Sequence, residues 1–311
     1  MPASKSEMPS RAKRIAICFS AAILLAAWAL TVDGFFVSPS ILRWSDQDRA
    51  ETVASEYGAS WENVSIRASD GVILRGWLFT PPNPQGRAVL LVHAGLGNRH
   101  DMLSRAELLL DRGYTCLLVD QRGCGTSGGQ ISWGVNEPGD ISRWATWLRD
   151  RTHSSAVFGC GLSRGSTTLV QSLAFRPPFA GLALEATGTG NISQPYQLLG
   201  DKTDVSERTA RMMWWPLIEP SLWWIRVHYG FNMKRVQDGS AAIHGSQVPV
   251  LLIQGSADHG ARVASAERLR DANPQHTQLV VIPGADHEWF SPGRPEVMKL
   301  VLAWFDSHAT S

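Results

Sequence analysis

The sequence predicts an α/β protein with a mostly parallel sheet, helices on both faces of that sheet and a helical cap inserted late in the chain. From residue 64 onwards, short apolar runs alternate with amphipathic stretches, which is typical of strands alternating with helices. Between about 190 and 247 this alternation stops and no clear strand is present. An interruption of that length is too long for an ordinary loop, so it predicts a small helical cap.

The first predicted element is a β-hairpin at residues 64–79. It turns at Asp70-Gly71, because this pair tolerates the positive φ of a tight turn. Six further strands are near-continuously apolar, as expected where helices cover both faces of a sheet. They lie at residues 88–93, 115–120, 156–161, 181–186, 248–255 and 278–284.

The predicted helices lie between and after these strands. They span about 101–112, 138–151, 164–174, 262–272 and 295–307. The last has Val297, Leu300, Val301, Trp304 and Phe305 at the spacing of one helical face. We expect that face to pack against the sheet.

Composition and charge exclude several classes of protein. The chain has 311 residues, of which 44% are hydrophobic, so it can bury one large core and is too apolar to be disordered. Its 29 basic and 28 acidic residues give a formal charge of +1, which argues against a protein that neutralises a row of phosphates. No nucleic-acid partner is therefore expected.

The N-terminal segment, residues 1–32, differs from the domain at residues 33–311. It begins with basic residues and continues as an uncharged apolar run from Ile15 to Val32. As a helix this run would cover about 27 Å, close to the roughly 30 Å hydrocarbon core of a bilayer. We expect a single membrane span with the domain on the non-cytoplasmic side, because basic flanks stay cytoplasmic. A signal peptide cleaved near Trp28, which would make the protein secreted, and a buried structural helix are the alternatives.

The sharpest local motif is Gly161-Leu162-Ser163-Arg164-Gly165, which follows an apolar strand and opens a helical pattern. This spacing is typical of a nucleophile on a strained strand-to-helix turn, where small neighbours let the backbone pass close to other elements. A second match to the pattern surrounds Ser127, at residues 125–129. That copy lies in a loop well past its strand with no helix directly after it, so Ser163 is the candidate nucleophile.

Serine needs an imidazole base that is itself oriented by a carboxylate. Asp258 follows the strand at 248–255, and His287 follows the next strand. Because parallel strands end at the same edge of a sheet, both side chains can meet Ser163 there. The order Ser163, Asp258, His287 therefore predicts a catalytic triad.

Other polar residues near these positions offer weaker alternatives. His259 adjoins the proposed acid and is an alternative base, and Asp286 adjoins the proposed base and is an alternative acid. We expect His93 to shape its loop. We expect Asp120 and Arg122 to form a structural ion pair or to anchor their loop.

Together these motifs resemble the α/β-hydrolase superfamily from about residue 64 to the C-terminus. They are HAGLGN at 93–98, VDQRGCGTSGG at 119–129, GLSRG at the nucleophile, and the loops that carry the acid and the histidine. The segment 133–150 also resembles serine-aminopeptidase-like and related membrane-associated members. The resemblance implies a serine hydrolase.

Residue roles follow from the same resemblance. It implies Ser163 as nucleophile, His287 as base, Asp258 as the orienting acid, and the backbone N–H groups of Gly95 and Arg164 as the oxyanion hole. The superfamily usually has His-Gly after the third strand, whereas this chain has His93-Ala94-Gly95. The N–H of Ala94 is therefore an alternative donor to that of Gly95.

The expected function is hydrolysis of a carboxylic ester or thioester through an acyl-enzyme intermediate. The partner is then a small-molecule acyl substrate, with no cofactor and no metal. Aromatic and methionine residues of the cap could line a pocket for a hydrophobic acyl group, enter a membrane surface, or fix the cap to the core. They are Met212, Met213, Trp214, Trp215, Trp223 and Trp224.

Two other functions stay open at this point. A serine peptidase is one, because residues 120–123 are similar to the corresponding loop of proline-iminopeptidase-type members. An aminopeptidase would need carboxylates for the substrate's ammonium, and Asp204, Glu207 and Glu219 are candidates. A non-catalytic binding or scaffold protein on the same fold is the other.

Overall fold

An eight-stranded sheet forms the centre of the protein. The computed structural model describes Trp28, residues 47–95, 97–190, Tyr196 and residues 205–309. The strands are β1 (Ser60–Arg67), β2 (Ile73–Thr80), β3 (Arg87–Val92), β4 (Thr115–Val119), β5 (Ala156–Leu162), β6 (Gly181–Glu185), β7 (Val250–Gly255) and β8 (Thr277–Ile282). Their order across the sheet is β1-β2-β4-β3-β5-β6-β7-β8.

All pairs from β4 onwards in this order are parallel, whereas β1 with β2 and β2 with β4 are antiparallel. This confirms the predicted mostly parallel sheet. The antiparallel start is the predicted hairpin, in which Ala68 N–H donates to the Val72 carbonyl over 2.8 Å. Gly71 in that turn has φ 85°, which explains the glycine there.

Eight α-helices occur in the described part of the chain. They are α1 (Gln47–Glu56), α2 (Leu103–Leu110), α3 (Glu137–Thr152), α4 (Arg164–Ser172), α5 (Glu207–His228), α6 (Gly239–Ile243), α7 (Val263–Ala272) and α8 (Pro295–His308). The five helices predicted between and after the strands correspond to α2, α3, α4, α7 and α8. The sequence analysis missed α1, a polar helix that buries little more than Ala50, Val53 and Ala54.

The helices cover both faces of the sheet, as predicted. Strand β3 shows the alternation: Val89 and Leu91 pack on one face, and Leu90 and Val92 on the other. Helices α1, α2 and α8 bury their apolar side chains on the first face, and α3, α4 and α7 on the second. The predicted stripe of α8 is confirmed, because Val301 and other members of it lie in the first core.

A helical insertion separates β6 from β7, where the cap was predicted. Its described part contains the 22-residue helix α5, with Pro216 and Pro220 inside it, and the short helix α6. The limits at about 190 and 247 stay a prediction, because residues 191–195 and 197–204 are not among the described residues.

The predicted membrane anchor, Ile15 to Val32, lies outside the described residues except for Trp28. Within the described ranges, no helix combines the length and the hydropathy that crossing a bilayer requires.

Candidate active site

Ser163 occupies the sharp turn between β5 and α4. Its backbone has φ 52° and ψ −114°, an unusual conformation for a residue with a side chain. A Cβ at Gly161 would lie 2.7 Å from the backbone nitrogen of Ser166, and one at Gly165 would collide with the Val92 carbonyl oxygen. The two glycines of the motif are therefore needed for the close passage of this turn beside β3 and α4.

The structure brings the three predicted triad residues together at one edge of the sheet. The Ser163 hydroxyl Oγ lies 3.0 Å from Nε2 of His287, and Nδ1 of the same ring lies 2.8 Å from Oδ2 of Asp258. The other carboxylate oxygen accepts hydrogen bonds from the backbone N–H groups of Gly260 and Ala261, at 2.8 and 2.7 Å. This geometry allows the histidine to accept the serine proton while the aspartate holds the ring.

Asp258 and His287 each favour the charged form of the other. The hydrogen bond to Asp258 raises the pKa of His287 above its ordinary value, although burial opposes that rise. Burial disfavours ionised Asp258, yet hydrogen bonds from His287 and Ala261 lower its pKa below the ordinary value. The carboxylate is thus charged at neutral pH and stabilises the imidazolium that would form when Ser163 gives up its proton.

Neither alternative triad residue occupies a competing position. His259 is exposed. Asp286 is also exposed, and its Oδ1 accepts the backbone N–H of Trp289 at 2.9 Å, which caps the short helix after His287. Asp258 is therefore the carboxylate that contacts the histidine ring.

The predicted oxyanion donors lie beside Ser163. Gly95 and Arg164 both line the cavity in front of the serine, whereas Ala94 packs against the core. Arg164 is the first residue of α4, so its N–H has no acceptor within the helix. The cavity lining thus favours Gly95 over Ala94.

His93 shapes the loop that carries Gly95. Its Nε2 accepts the N–H of Gln121 at 3.1 Å, and its Nδ1 lies 2.7 Å from the Ala94 carbonyl oxygen. Burial, reinforced by the charge of Arg164, lowers the pKa of His93 to about 3. The ring is therefore neutral at physiological pH, with one nitrogen donating and the other accepting.

Asp120 and Arg122 anchor their loop, which is one of the two roles expected for them, and they do not form an ion pair with each other. Arg122 instead forms salt bridges to Asp140 at 2.7 Å and Asp70 at 2.8 Å. Asp120 accepts the backbone N–H of Arg99 at 2.8 Å. Asp120 also accepts the backbone N–H of Thr126 within the loop, at 2.8 Å.

Sequence reasoning missed a buried ion pair behind the triad. Arg105 donates to both carboxylate oxygens of Glu185, at 2.9 and 2.7 Å, and to the Phe290 carbonyl at 2.6 Å. The Glu185 carbonyl also accepts the N–H of Ser163 at 2.8 Å. The pair therefore links the turn of the serine to the segment after His287. The sequence signal for this ion pair was Glu185, a charged residue at the end of the otherwise apolar strand β6.

Gln254 supports the acid in a similar way. Its side-chain amide donates to the Ala261 carbonyl and lies 3.4 Å from Oδ2 of Asp258, while its oxygen accepts the Thr187 N–H at 3.1 Å. Gln254 is fully buried at the end of β7. It fixes the loop that presents Asp258.

A cavity of about 210 Å³ lies in front of Ser163. Besides the serine its lining includes Trp133, Arg164, the side chains of two threonines and a glutamine on α4, and several glycines. Among the described residues, no group of three or more His, Cys, Asp or Glu is placed to hold a metal. The side chains at this site are those of acid–base and nucleophilic chemistry.

The six cap residues proposed for an acyl pocket do not line this cavity. Four of them are exposed by 55–71%: Met212, Met213, Trp215 and Trp223. Trp224 instead stacks on His228, with ring centroids 5.2 Å apart. These four exposed side chains neither cover Ser163 nor pack the cap against the core.

The carboxylates suggested for an ammonium site are also elsewhere. Glu207 pairs with Arg211 at 3.6 Å, and Glu219 pairs with Lys234 at 3.1 Å. Neither lines the cavity, and Asp204 lies outside the described residues. These residues give the peptidase alternative no support.

Comparisons with known proteins support the fold. A family model described as alpha/beta hydrolase fold matches residues 87–207. The uncharacterized protein YqkD of Bacillus subtilis is 24% identical over 247 residues, which cover 78% of each chain. An uncharacterized protein of Mycobacterium tuberculosis is 28% identical over 240 residues, 75% of each chain.

Solved structures show the same fold. An esterase of Pyrococcus furiosus is 20% identical with a TM-score of 0.62, covering 82% of this chain and 94% of its own. A Xanthomonas campestris protein described as an a/b serine hydrolase without lid is 18% identical with a TM-score of 0.55, covering 80% and 94%. At these identities the likeness concerns the fold alone.

Proposed function

Because this chain belongs to the α/β-hydrolase superfamily, we propose that it is a serine hydrolase that cleaves a carboxylic ester or thioester through an acyl-enzyme. The observation that carries the proposal is the chain of contacts from Ser163 through His287 to Asp258. A serine aligned with an imidazole that a buried carboxylate orients is the arrangement that acyl transfer requires.

The reaction would proceed in two halves. His287 Nε2 takes the proton from Ser163 as Oγ attacks the carbonyl carbon, and the N–H groups of Gly95 and Arg164 hold the oxyanion. The imidazolium then gives its proton to the leaving alcohol or thiol. In the second half, His287 removes a proton from water, which attacks the acyl-enzyme and frees the acid and Ser163.

A fluorophosphonate probe tests whether the protein is a catalyst or a scaffold. We expect one label per folded chain, at Ser163, and none in Ser163→Ala. Ser127→Ala is the matched control, since it alters the other copy of the motif, and it should label like the parent. Absence of labelling in folded parent protein would favour the non-catalytic alternative.

Whether the protein cleaves an ester or a peptide-like amide bond needs a separate measurement. We expect nitrophenyl esters of graded acyl length to be turned over, whereas leucine and proline anilides should be poor substrates. Faster cleavage of the anilides would replace the esterase proposal with the peptidase. The same series tests the hydrophobic acyl group, which stays a prediction because the cap tryptophans lie away from the described cavity.

We also propose that the protein is held at a membrane by residues 15–32, with its domain on the non-cytoplasmic side. The exposed side of α5 supports this, because Met212, Trp223 and Val227 share one helical face and are 71%, 63% and 62% exposed. Trp28, from the apolar run, packs edge-on against Trp224 with centroids 6.1 Å apart. Trp28 itself thus contacts α5.

Membrane fractionation of cells expressing the full chain tests the location. We expect the chain to stay in the membrane pellet after alkaline carbonate washing and to be digested only by protease added from the non-cytoplasmic side. A shortened chain in the soluble fraction, beginning near residue 30, would indicate a cleaved signal peptide instead.

A further inference from the structure

The cavity in front of Ser163 is unusual in its charge. Among the described residues that line it, Arg164 carries the one charged side chain. Arg164 also follows the nucleophile directly in sequence, so its side chain starts beside the reacting atoms. Its backbone N–H is an oxyanion-hole candidate, and its guanidinium is not used in the proposed ester hydrolysis.

The other polar side chains of the cavity already have partners within the protein. Thr167 Oγ1 accepts the N–H of Gly188 at 3.1 Å, and Thr168 Oγ1 donates to the Arg164 carbonyl at 2.9 Å. The amide nitrogen of Gln171 donates to the Gly190 carbonyl at 2.8 Å. None of these three needs a ligand to complete its hydrogen bonds.

The guanidinium of Arg164 differs, because two of its nitrogens lack a partner. Nε and Nη1 are both buried and make no hydrogen bond, and none of the carboxylates in the described ranges forms a salt bridge with the group. Nη2 has only a weak contact, at 4.0 Å from the Sγ of buried Cys124. Buried donors without acceptors are rare in folded proteins, since each forgoes its hydration.

Glu137 balances the charge of Arg164 without binding it. Its carboxylate accepts the N–H and hydroxyl of Ser132, both at 2.6 Å, and the N–H of Gly134 at 2.9 Å. Burial opposes ionisation of Glu137, yet the charge of Arg164 and these bonds lower its pKa below the ordinary value. Glu137 is therefore anionic but has its oxygens occupied.

The loop that Glu137 holds places an aromatic ring beside the guanidinium. The Arg164 Cζ lies 5.4 Å from the centre of the Trp133 ring, a cation–π distance. Trp133 has φ 52°, a strained value for a side chain of this size, and it lies between the two residues bound by Glu137. Strain of this kind is kept where a side chain must be held in one place.

We propose that the cavity is a subsite for an anionic oxygen group, a carboxylate or phosphate, that the substrate carries in addition to the bond cleaved. The anion would be attracted by the charge of Arg164, and its bidentate contact requires the guanidinium, whose Nε and Nη1 are enclosed in this structure, to turn towards the cavity. This inference rests on the proposed ester hydrolysis and narrows its substrate class to anionic esters.

Matched esters test the subsite with the full chain. One arm compares the mono-nitrophenyl ester of glutaric acid with an uncharged branched hexanoyl ester of the same shape, which places the anion on the acyl side. The other compares acetate esters of hydroxybenzoic acid and of cresol, which places it on the leaving group. We expect roughly 10- to 100-fold higher kcat/KM for the anionic member of one pair.

The ratio of anionic to neutral kcat/KM in Arg164→Met is the decisive readout. Both members of a pair use the same oxyanion hole, so any general loss of catalysis cancels in the ratio. We expect the preference to disappear in Arg164→Met and to persist partly in Arg164→Lys. Arg143→Met is the control, because it removes an exposed arginine that does not line the cavity, and its ratio should equal that of the parent.

The outcomes separate the two proposals. Turnover of esters with no preference for the anion in either pair, or a preference that survives in Arg164→Met, overturns the subsite and leaves the hydrolase. If no ester is cleaved, binding of monomethyl glutarate and of its neutral analogue to the chain, measured by calorimetry, still decides the matter. Equal or absent binding of the two would then reject the subsite as well.

Discussion

Two segments of this chain match the same five-residue pattern, yet they give serines of opposite character. Ser163 lies half-buried on the turn between β5 and α4, with its hydroxyl 3.0 Å from an imidazole nitrogen. Ser127 is 3% exposed, and its hydroxyl donates to the Asp120 carbonyl at 2.7 Å while accepting the Arg75 N–H at 2.8 Å. The second hydroxyl has a structural role with backbone partners.

The glycines of the two segments serve different needs. Gly165 lets the start of α4 pass against the Val92 carbonyl, whereas a Cβ at Gly125 would collide with the Asp120 carboxylate. Gly161 and Gly165 thus allow the sharp turn that presents Ser163, whereas Gly125 lets its loop close around the buried Asp120. The position of a strand before and a helix after the motif, more than the motif itself, distinguishes a reactive serine.

The largest expected difference between the serines is in turnover. Ser163→Ala should lower kcat by about four to six orders of magnitude, because removal of the nucleophile removes the acyl-enzyme route. Ser127→Ala should change kcat per folded molecule by only a few-fold. Steady-state kinetics on one ester, with circular dichroism to establish folding, measures both. Comparable losses in the two variants would contradict the assignment of Ser163.

A nearly as large effect is expected at the acid. Asp258→Asn should lower kcat by about four orders of magnitude, since an amide favours the wrong tautomer of the ring. Asp286→Asn is the matched control, because that exposed carboxylate caps a turn and does not touch the ring. If Asp286→Asn were the more damaging change, the roles of the two aspartates would be reversed.

The pH profile refines the same comparison. The base must be neutral, so kcat/KM should rise with pH through the pKa of His287, which the Asp258 hydrogen bond raises above its ordinary value. In Asp258→Asn this bond to a charged acceptor is lost, and the rising limb should move to lower pH. A limb that stays at the parent's pH would mean that another group controls it.

Ser127 should matter for stability where Ser163 does not. Ser127→Ala leaves the partly buried Arg75 N–H without its acceptor and the buried Asp120 carbonyl without its donor, so the free energy of unfolding should fall by about 1–3 kcal/mol. Ser163→Ala should change it by less than about 0.5 kcal/mol. Urea unfolding followed by circular dichroism gives both values. An unchanged midpoint for Ser127→Ala would show that its hydrogen bonds are replaced by water.

The sequence was enough to place the strands and the triad residues, for a physical reason. Apolar runs such as residues 88–93 must be buried, and the ends of parallel strands meet at one edge, so Asp258 and His287 could be placed there from their order alone. Their roles in a reaction stay a proposal.

Features that depend on distant partners could not be predicted in this way. Arg105 and Glu185 are 80 positions apart, and no local pattern pairs them. The partners of Arg122 could not be predicted for the same reason, since Asp140 and Asp70 approach it from other elements. The unpaired nitrogens of Arg164 follow from how the loop at Trp133 folds against α4. Such contacts are properties of the packed structure.

The smallest expected effect isolates backbone strain at the two serines. Ser163→Gly and Ser163→Ala both lack the hydroxyl, but only alanine keeps a Cβ at φ 52°. Strain at such a position is of order 1–3 kcal/mol, offset in part by the greater freedom of unfolded glycine. Ser163→Gly should therefore be more stable than Ser163→Ala by about 1 kcal/mol in urea unfolding.

The same pair of substitutions at position 127 should have the opposite sign. Ser127 is not among the described residues with positive φ, so glycine there brings no relief of strain and adds freedom to the unfolded chain. Ser127→Gly should be less stable than Ser127→Ala by up to about 1 kcal/mol. Equal signs at both positions would mean that the turn at Ser163 is not strained, and that its conformation is held without energetic cost to the fold.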